Sequence, residues 1–186
     1  LTNGNNNGIT NGINGITRGR PGNPNNHVGR SSAPSAANNL IGGKNGKLPW
    51  DIKEDWDYFL KTTQNGILIM GRHCYDEFED HAKNRDVIAL SRNSDHTFPY
   101  AHKASNLAES LKMAGDFSGK TIWICGGRGI YEEALPLADR MYLTEINAEY
   151  SGNIYFPAWE KHFRKEVFSE SLQTDSVELT FRILSK

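Results

Sequence analysis

The sequence predicts an α/β fold: a largely parallel sheet flanked by helices and finished by an antiparallel hairpin. Three observations lead there. GILIMG (66–71), DVIALS (86–91) and TIWICGG (121–127) are short apolar runs suited to buried strands. Helix-period segments stand between them, and strands separated by helices favour parallel pairing. Residues 166–171 and 177–184 read as a closing β-hairpin, which adds antiparallel edge strands.

The elements follow in order. Residues 1–30 are dominated by Asn and Gly and hold no aromatic residue, so they read as a disordered arm ahead of a domain over 31–186. In IKEDWDYFLKTT (52–63), apolar residues at 52, 56, 59 and 60 suit an amphipathic helix. RHCYDEF after Gly71 resumes a helical pattern, LAESLKMA (107–114) is a helix, and IYEEALPLA (130–138) is one that Pro136 weakens or ends. RMYLTEINAE (140–149) alternates as a strand does.

With 21 Lys+Arg against 22 Asp+Glu in 186 residues, nothing in the bulk charge points to nucleic acid. No apolar run approaches the roughly 18–20 residues that span a bilayer, and no signal-peptide core is visible at the start. Cys74 and Cys125 lie far apart without companion Cys/His pairs at zinc-like spacing. The expectation is a soluble protein of a reducing, cytoplasmic setting, with no membrane partner and no metal.

Strand-to-helix junctions carry the candidate chemistry. At ILIMGRHC a strand runs into Gly71 and a helix opens near Arg72, His73 and Cys74, where free N–H groups and positive charge attract phosphate. At ICGGRGIY a strand meets Gly126 and Gly127, which let a ligand approach the backbone closely, although the spaced-glycine dinucleotide fingerprint is absent. LSRN ends a third strand with Ser91 and Arg92, a pairing suited to a terminal phosphate. Each junction alone also reads as an ordinary turn or a solvated arginine. Asp55, at the start of the helix after LPW, is on pattern alone equally an acidic first-turn residue that satisfies the helix dipole, as Glu54 and Asp57 would be.

Taken together, GKNGKLPWDIKEDWDYF, ILIMGRHCYDEF, NRDVIALSRN, TIWICGGRGIYEEALPLADRMYLTEINAE and GNIYFP resemble dihydrofolate reductase, in that family's order and spacing, over roughly residues 40–186. The resemblance implies one domain built on a mostly parallel eight-stranded sheet with four helices. It also implies NADPH as cofactor, dihydrofolate as substrate, antifolate inhibitors as further ligands, and a monomer. Asp55 matches the ionisable group of the pterin pocket, and Thr144 the hydroxyl bonded to that carboxylate and the pterin. Trp50 matches the holder of an ordered water, Leu48 lies in the mobile loop over the nicotinamide, and Tyr131 completes the catalytic set. Phe59 and Phe78 line the apolar folate site, Cys125 offers its carbonyl to the pterin, and Arg85 matches the arginine that grips the α-carboxylate of the glutamate tail. Gly43, Asn45, Gly71, Arg72, His73, Cys74, Leu90, Ser91 and Arg92 match cofactor contacts. So does the run Cys125, Gly126, Gly127, Arg128, Gly129 and Ile130. A carboxylate in such an apolar pocket is expected to have a raised pKa through burial.

The departures cluster before LPW. RSSAPSAANNLIGGKNG (30–46) stands where the family has its first, central strand, and Pro34 cannot donate to a ladder. LIGG replaces the usual Gly-Ile-Gly step, Cys74 stands where a Thr usually caps the helix, and Asn153 replaces an acidic loop residue. Two alternatives follow: a pyrimidine reductase of riboflavin synthesis, against which Asp55, Thr144 and Arg85 argue, and a non-catalytic nucleotide-binding relative, which a missing strand at 31–38 would favour.

Overall fold

The computed structural model describes residues 11–21, 41–43, 48–117, 119–150 and 153–186. Among these residues, ten strands form one sheet. They are β1 Asn11–Pro21, β2 Ile41–Gly43, β3 Ile67–Gly71, β4 Asp86–Leu90, β5 His102–Ala104, β6 Ile122–Ile124, β7 Arg140–Tyr150, β8 Ile154–Tyr155, β9 Lys165–Gln173 and β10 Glu178–Ser185. The main path runs β5-β4-β3-β6-β1-β7-β10-β9, and β2 and β8 pair off it. Pairing from β5 through to β7 is parallel. β10 joins β7 and β9 antiparallel, as the expected hairpin. The expected eight strands hold only in outline.

Four helices accompany the sheet: α1 Lys53–Thr62, α2 Arg72–Ala82, α3 Leu107–Gly115 and α4 Arg128–Ala134. Each falls where apolar periodicity placed one. The last stops two residues short of Pro136, whose ring would clash with the preceding turn. Successive strand residues point to opposite faces, so β3 divides its side chains between two cores. Ile67 and Ile69 join Leu107 and Ala114 of α3 and Tyr131 and Ala134 of α4. Leu68 and Met70 join Tyr75 and Phe78 of α2, with Trp56 and Phe59 of α1 packed against them. Burial on both faces explains why ILIM reads as an unbroken apolar run. A third cluster, of Trp50, Ile146, Val177, Leu179 and Phe181, lies under the residues that follow LPW.

One expectation is corrected. Asn11–Pro21, read as part of an unstructured arm, forms the strand between β6 and β7, with Gly12 opposite both Trp123 and Arg140. The 31–38 segment, expected to fill that place, lies outside the described residues. The physical reason is that a central strand is held on both edges by backbone N–H and C=O groups, which any non-proline residue supplies. The arm was inferred from side-chain composition, which measures burial and not pairing.

Candidate active site

The parallel strands β3, β4 and β6 all end on one edge of the sheet, the place where α/β folds bind ligands. Two of the junctions there are joined directly. Gly71 N–H donates to the Gly126 carbonyl at 2.7 Å, and Cys125 N–H to the Ile69 carbonyl at 2.8 Å. Gly126 has φ +110°, and a Cβ on it would lie 3.1 Å from Cys74 Sγ and 3.3 Å from Tyr131 Oη. A Cβ on Gly71 would come within 3.2 Å of Ile130 Cδ1. The Gly126–Gly127 peptide is cis. Gly71, Cys74, Gly126, Ile130 and the buried Tyr131 thus surround one small backbone cradle.

α2 opens from Gly71 without a side-chain cap, whereas α3 is capped by Asn106, whose Oδ1 accepts from Glu109 N–H at 2.9 Å. The first N–H groups of α2 are left for another acceptor. Arg72 and His73 are exposed beside them, 3.3 Å apart. After β4, Ser91 Oγ accepts from Asn93 N–H at 3.2 Å, and Ser91 N–H donates to the Ala104 carbonyl of β5 at 3.0 Å. Leu90 closes β4 and Arg92 is exposed. Arg128 is turned to Glu132, 2.8 Å away, and Gly129 lies exposed in the first turn of α4. A cleft of about 490 Å³ on the outer side of α4, lined by Arg128, Glu132, Tyr155 and His162, contains none of the other predicted residues.

The second half of the site lies on the other face, between α1 and α2. The rings of Trp56, Phe59 and Phe78 have centroids 5.5 to 6.1 Å apart, so the two helices meet through aromatic contacts. Arg85 closes this end: Nη1 donates to Thr63 Oγ1 at 2.9 Å and Nη2 to the Leu60 carbonyl at 2.7 Å. Its guanidinium lies 5.9 Å from the Phe78 ring centroid, and burial pulls its pKa below the ordinary arginine value. No carboxylate among the described residues forms an ion pair with it.

Asp55 is half-buried in the first turn of α1, three and four residues before Tyr58 and Phe59, and so on their side of the helix. Tyr58 stacks on Phe181 at 4.2 Å, and Phe181 is the cross-strand partner of Thr144, which is buried. Asp55 and Thr144 therefore both address the α1–sheet interface. Trp50 packs edge-on to Tyr150 at 5.2 Å, and its buried indole N–H has no hydrogen-bond partner among the described residues. Leu48 N–H donates to Glu77 Oε1 of α2 at 3.3 Å. Gly43 ends β2, and Asn45 lies outside the described residues. Burial pushes the Cys74 thiol up to about 12, with Glu77 and Asp76 adding to it, and raises the Cys125 thiol as well.

Sequence reading missed Trp56 as part of the aromatic contact between α1 and α2, Glu77 as the partner of Leu48, and Lys103, whose ammonium bonds the loop after β4. Aromatic spacing at 56 and 59 signalled the first. The other two act through backbone groups and left no signal.

A parallel α/β sheet with a glycine cradle, an uncapped helix start and flanking cations at its carboxyl edge is the arrangement with which α/β proteins hold phosphorylated nucleotides. The family model for dihydrofolate reductase matches residues 33–186, and the chain belongs to that family. The dihydrofolate reductase of Bacillus subtilis is 33% identical over 134 residues, covering 72% of this chain and 78% of that one. Dihydrofolate reductase type 3 of Salmonella typhimurium is 34% identical over 125 residues, covering 67% and 75%. The solved dihydrofolate reductase of Enterococcus faecalis, in complex with NADP(H) and RAB-propyl, superposes with a TM-score of 0.71 at 25% identity, over 78% of this chain and 88% of that chain.

Proposed function

We infer that the chain is an NADPH-dependent dihydrofolate reductase. The observation that carries this reading is the bonding of Gly71 to Gly126 beside the uncapped start of α2, where any Cβ on Gly126 would fill the cradle. The residues fit the cofactor: backbone N–H groups with Arg72 and His73 for the pyrophosphate, Ser91 and Arg92 for the terminal phosphate. When bound, NADPH supplies the hydride that reduces the pterin ring.

The chain's own part is to bind, orient and polarise. Asp55 and Thr144 hold the pterin from the α1–sheet interface, and the Asp55 charge favours protonation of N5 through water. The unpartnered Trp50 N–H suits an ordered water there. Phe59 and Phe78 contain the benzoyl part, and Arg85 takes the α-carboxylate. Leu48, tied to Glu77 at 3.3 Å, belongs to the loop that covers the nicotinamide. The eight strands of the main path serve as the catalytic sheet. Antifolates are expected ligands of the same cleft. The free thiols of Cys74 and Cys125 accord with a reducing cytoplasmic setting, and the working unit is a monomer.

The test is NADPH oxidation, followed by absorbance, with dihydrofolate, comparing this chain with Asp55→Asn. Turnover that falls roughly 10²–10⁴-fold in the variant supports the assignment. A folded wild-type chain without turnover refutes it.

A further inference from the structure

The loop that follows β4 carries Ser91 and Arg92, and its shape depends on a residue from another strand. Lys103 lies on β5, whose Lys103 and Ala104 pair with Ala89 and Leu90 of β4. Its ammonium donates to the Asn93 carbonyl at 2.8 Å and the Ser94 carbonyl at 2.5 Å. The rest of the loop turns around the same point. Asn93 N–H donates to Ser91 Oγ, Asp95 N–H to Asn93 Oδ1 at 3.0 Å, and His96 N–H to the Asn93 carbonyl at 3.3 Å. The Asp95 carboxylate accepts from Ser94 Oγ at 3.0 Å.

Two consequences follow. An ammonium has three donors, so two bonds to successive carbonyls fix the loop, and the third donor has no partner among the described residues. The lysine also neutralises the carbonyl ends of those peptides, which leaves the Ser91–Arg92 side of the loop more favourable to an anion. A residue that did nothing but pack would need no charge there.

We propose that Lys103 is a positioning residue that sets the preference for a 2′-phosphorylated cofactor, by holding the 91–94 loop so that Ser91 and Arg92 converge on the phosphate. This rests on the reading of the chain as an NADPH enzyme and names a residue that strengthens its preference for NADPH over NADH. Lys103 does not carry the reaction, and it is expected to act on binding ratios, not on the chemical step.

The test uses the full chain and two nucleotides that differ only in that phosphate, 2′,5′-ADP and 5′-AMP, titrated by calorimetry. Steady-state rates with NADPH and NADH accompany the titrations. In Lys103→Met the preference for 2′,5′-ADP is expected to fall about tenfold, while 5′-AMP affinity stays within about twofold. Lys103→Arg, which retains a cation, is expected to restore most of the preference. The NADPH to NADH ratio of kcat/KM should fall in parallel. Equal weakening of both nucleotides would mark Lys103 as merely structural and overturn the proposal, as would an unchanged preference in Lys103→Met. If the wild-type chain prefers neither nucleotide yet turns over with NADPH, the proposal alone fails. If it neither prefers one nor oxidises NADPH with dihydrofolate, the underlying reading fails with it.

Discussion

If Arg85 takes the α-carboxylate as proposed, replacing it with lysine separates recognition of the glutamate tail from recognition of the pterin. A guanidinium carries five N–H donors. Two of Arg85's are engaged inside the protein, by Thr63 Oγ1 at 2.9 Å and the Leu60 carbonyl at 2.7 Å. Thr63 is fully buried, and its own hydroxyl donates to the Phe59 carbonyl at 2.8 Å, so this anchor is rigid. Three donors remain, enough to grip a carboxylate with two parallel bonds. Lysine has three donors; with two kept on the inner partners, one is left for the ligand. The substitution thus removes one charged hydrogen bond of a pair, worth about 1.5–3 kcal/mol, and KM for dihydrofolate should rise about tenfold or more. The contact with Phe78 weakens too, by about 0.5–1 kcal/mol. The assay is steady-state NADPH oxidation with dihydrofolate and with 6-methyl-7,8-dihydropterin, which has no glutamate. The pterin-only substrate should react as with wild type, and kcat for dihydrofolate should hold. Equal losses on both substrates, or a dihydrofolate KM within about twofold of wild type, would refute the reasoning.

Three further outcomes are expected. A Cβ at Gly66 would lie 2.2 Å from Trp123 Cδ1 and 2.8 Å from the Thr121 carbonyl, so Gly66→Ala should destabilise the fold by about 3 kcal/mol. Urea unfolding reads this, and a midpoint equal to wild type would contradict it. Burial holds the Cys74 thiol at about 12, above its ordinary 9.0, so the folded chain keeps a proton that the unfolded chain releases. Cys125 is shifted in the same direction. The stability this represents is complete below the unfolded thiol pKa and is lost as pH rises from 9.0 towards 12, a decline that a Cys74→Ala, Cys125→Ala chain should show less steeply. Deleting residues 1–21 removes β1 and leaves β6 and β7 without their shared neighbour, so cooperative thermal unfolding by circular dichroism should disappear. A truncated chain that melts like the full one would show that another segment fills the central place.

The helices and the hairpin were legible because burial writes a period into the sequence. In α1, Trp56, Phe59 and Leu60 face one core, and in β10 the alternation of Leu179 and Phe181 with more exposed residues is plain. α4 was legible in place but not in its bounds: the pattern over 130–138 carries Pro136 as a residue that weakens or ends a helix, and α4 runs Arg128–Ala134. β1 was not. Asn and Gly carry no burial pattern, and the partners of Asn11–Ile13 are Ile122–Ile124, more than a hundred positions away. Pairing between such segments is a property of topology, and a composition argument points the other way.

The site divides along the same line. Gly126 was legible because one residue type suits a backbone at φ +110° with a thiol and a phenol at its Cβ position, so chemistry and sequence coincide at a single letter. Arg85 was legible as a cation, but its fitness lies in Thr63 and Leu60, which fix the fork and which nothing in the sequence connects to it. Asp55 shows the limit most clearly. Glu54 shares the first turn and satisfies the helix dipole as well as it does, while Asp57 lies past that turn and pairs with Lys53; both are exposed, whereas Asp55 is half-buried on the side of α1 that meets Phe181 and, one strand further, Thr144. What singles it out is thus the docking of α1 over the junction of β7 and β10, an arrangement made by residues some ninety to a hundred and thirty positions later in the chain. On the proposed reading the carboxylate takes its chemical role from the register between a helix and a sheet: a shift of α1 by one residue would bring either Glu54, one methylene longer, or the indole of Trp56 to the place of Asp55.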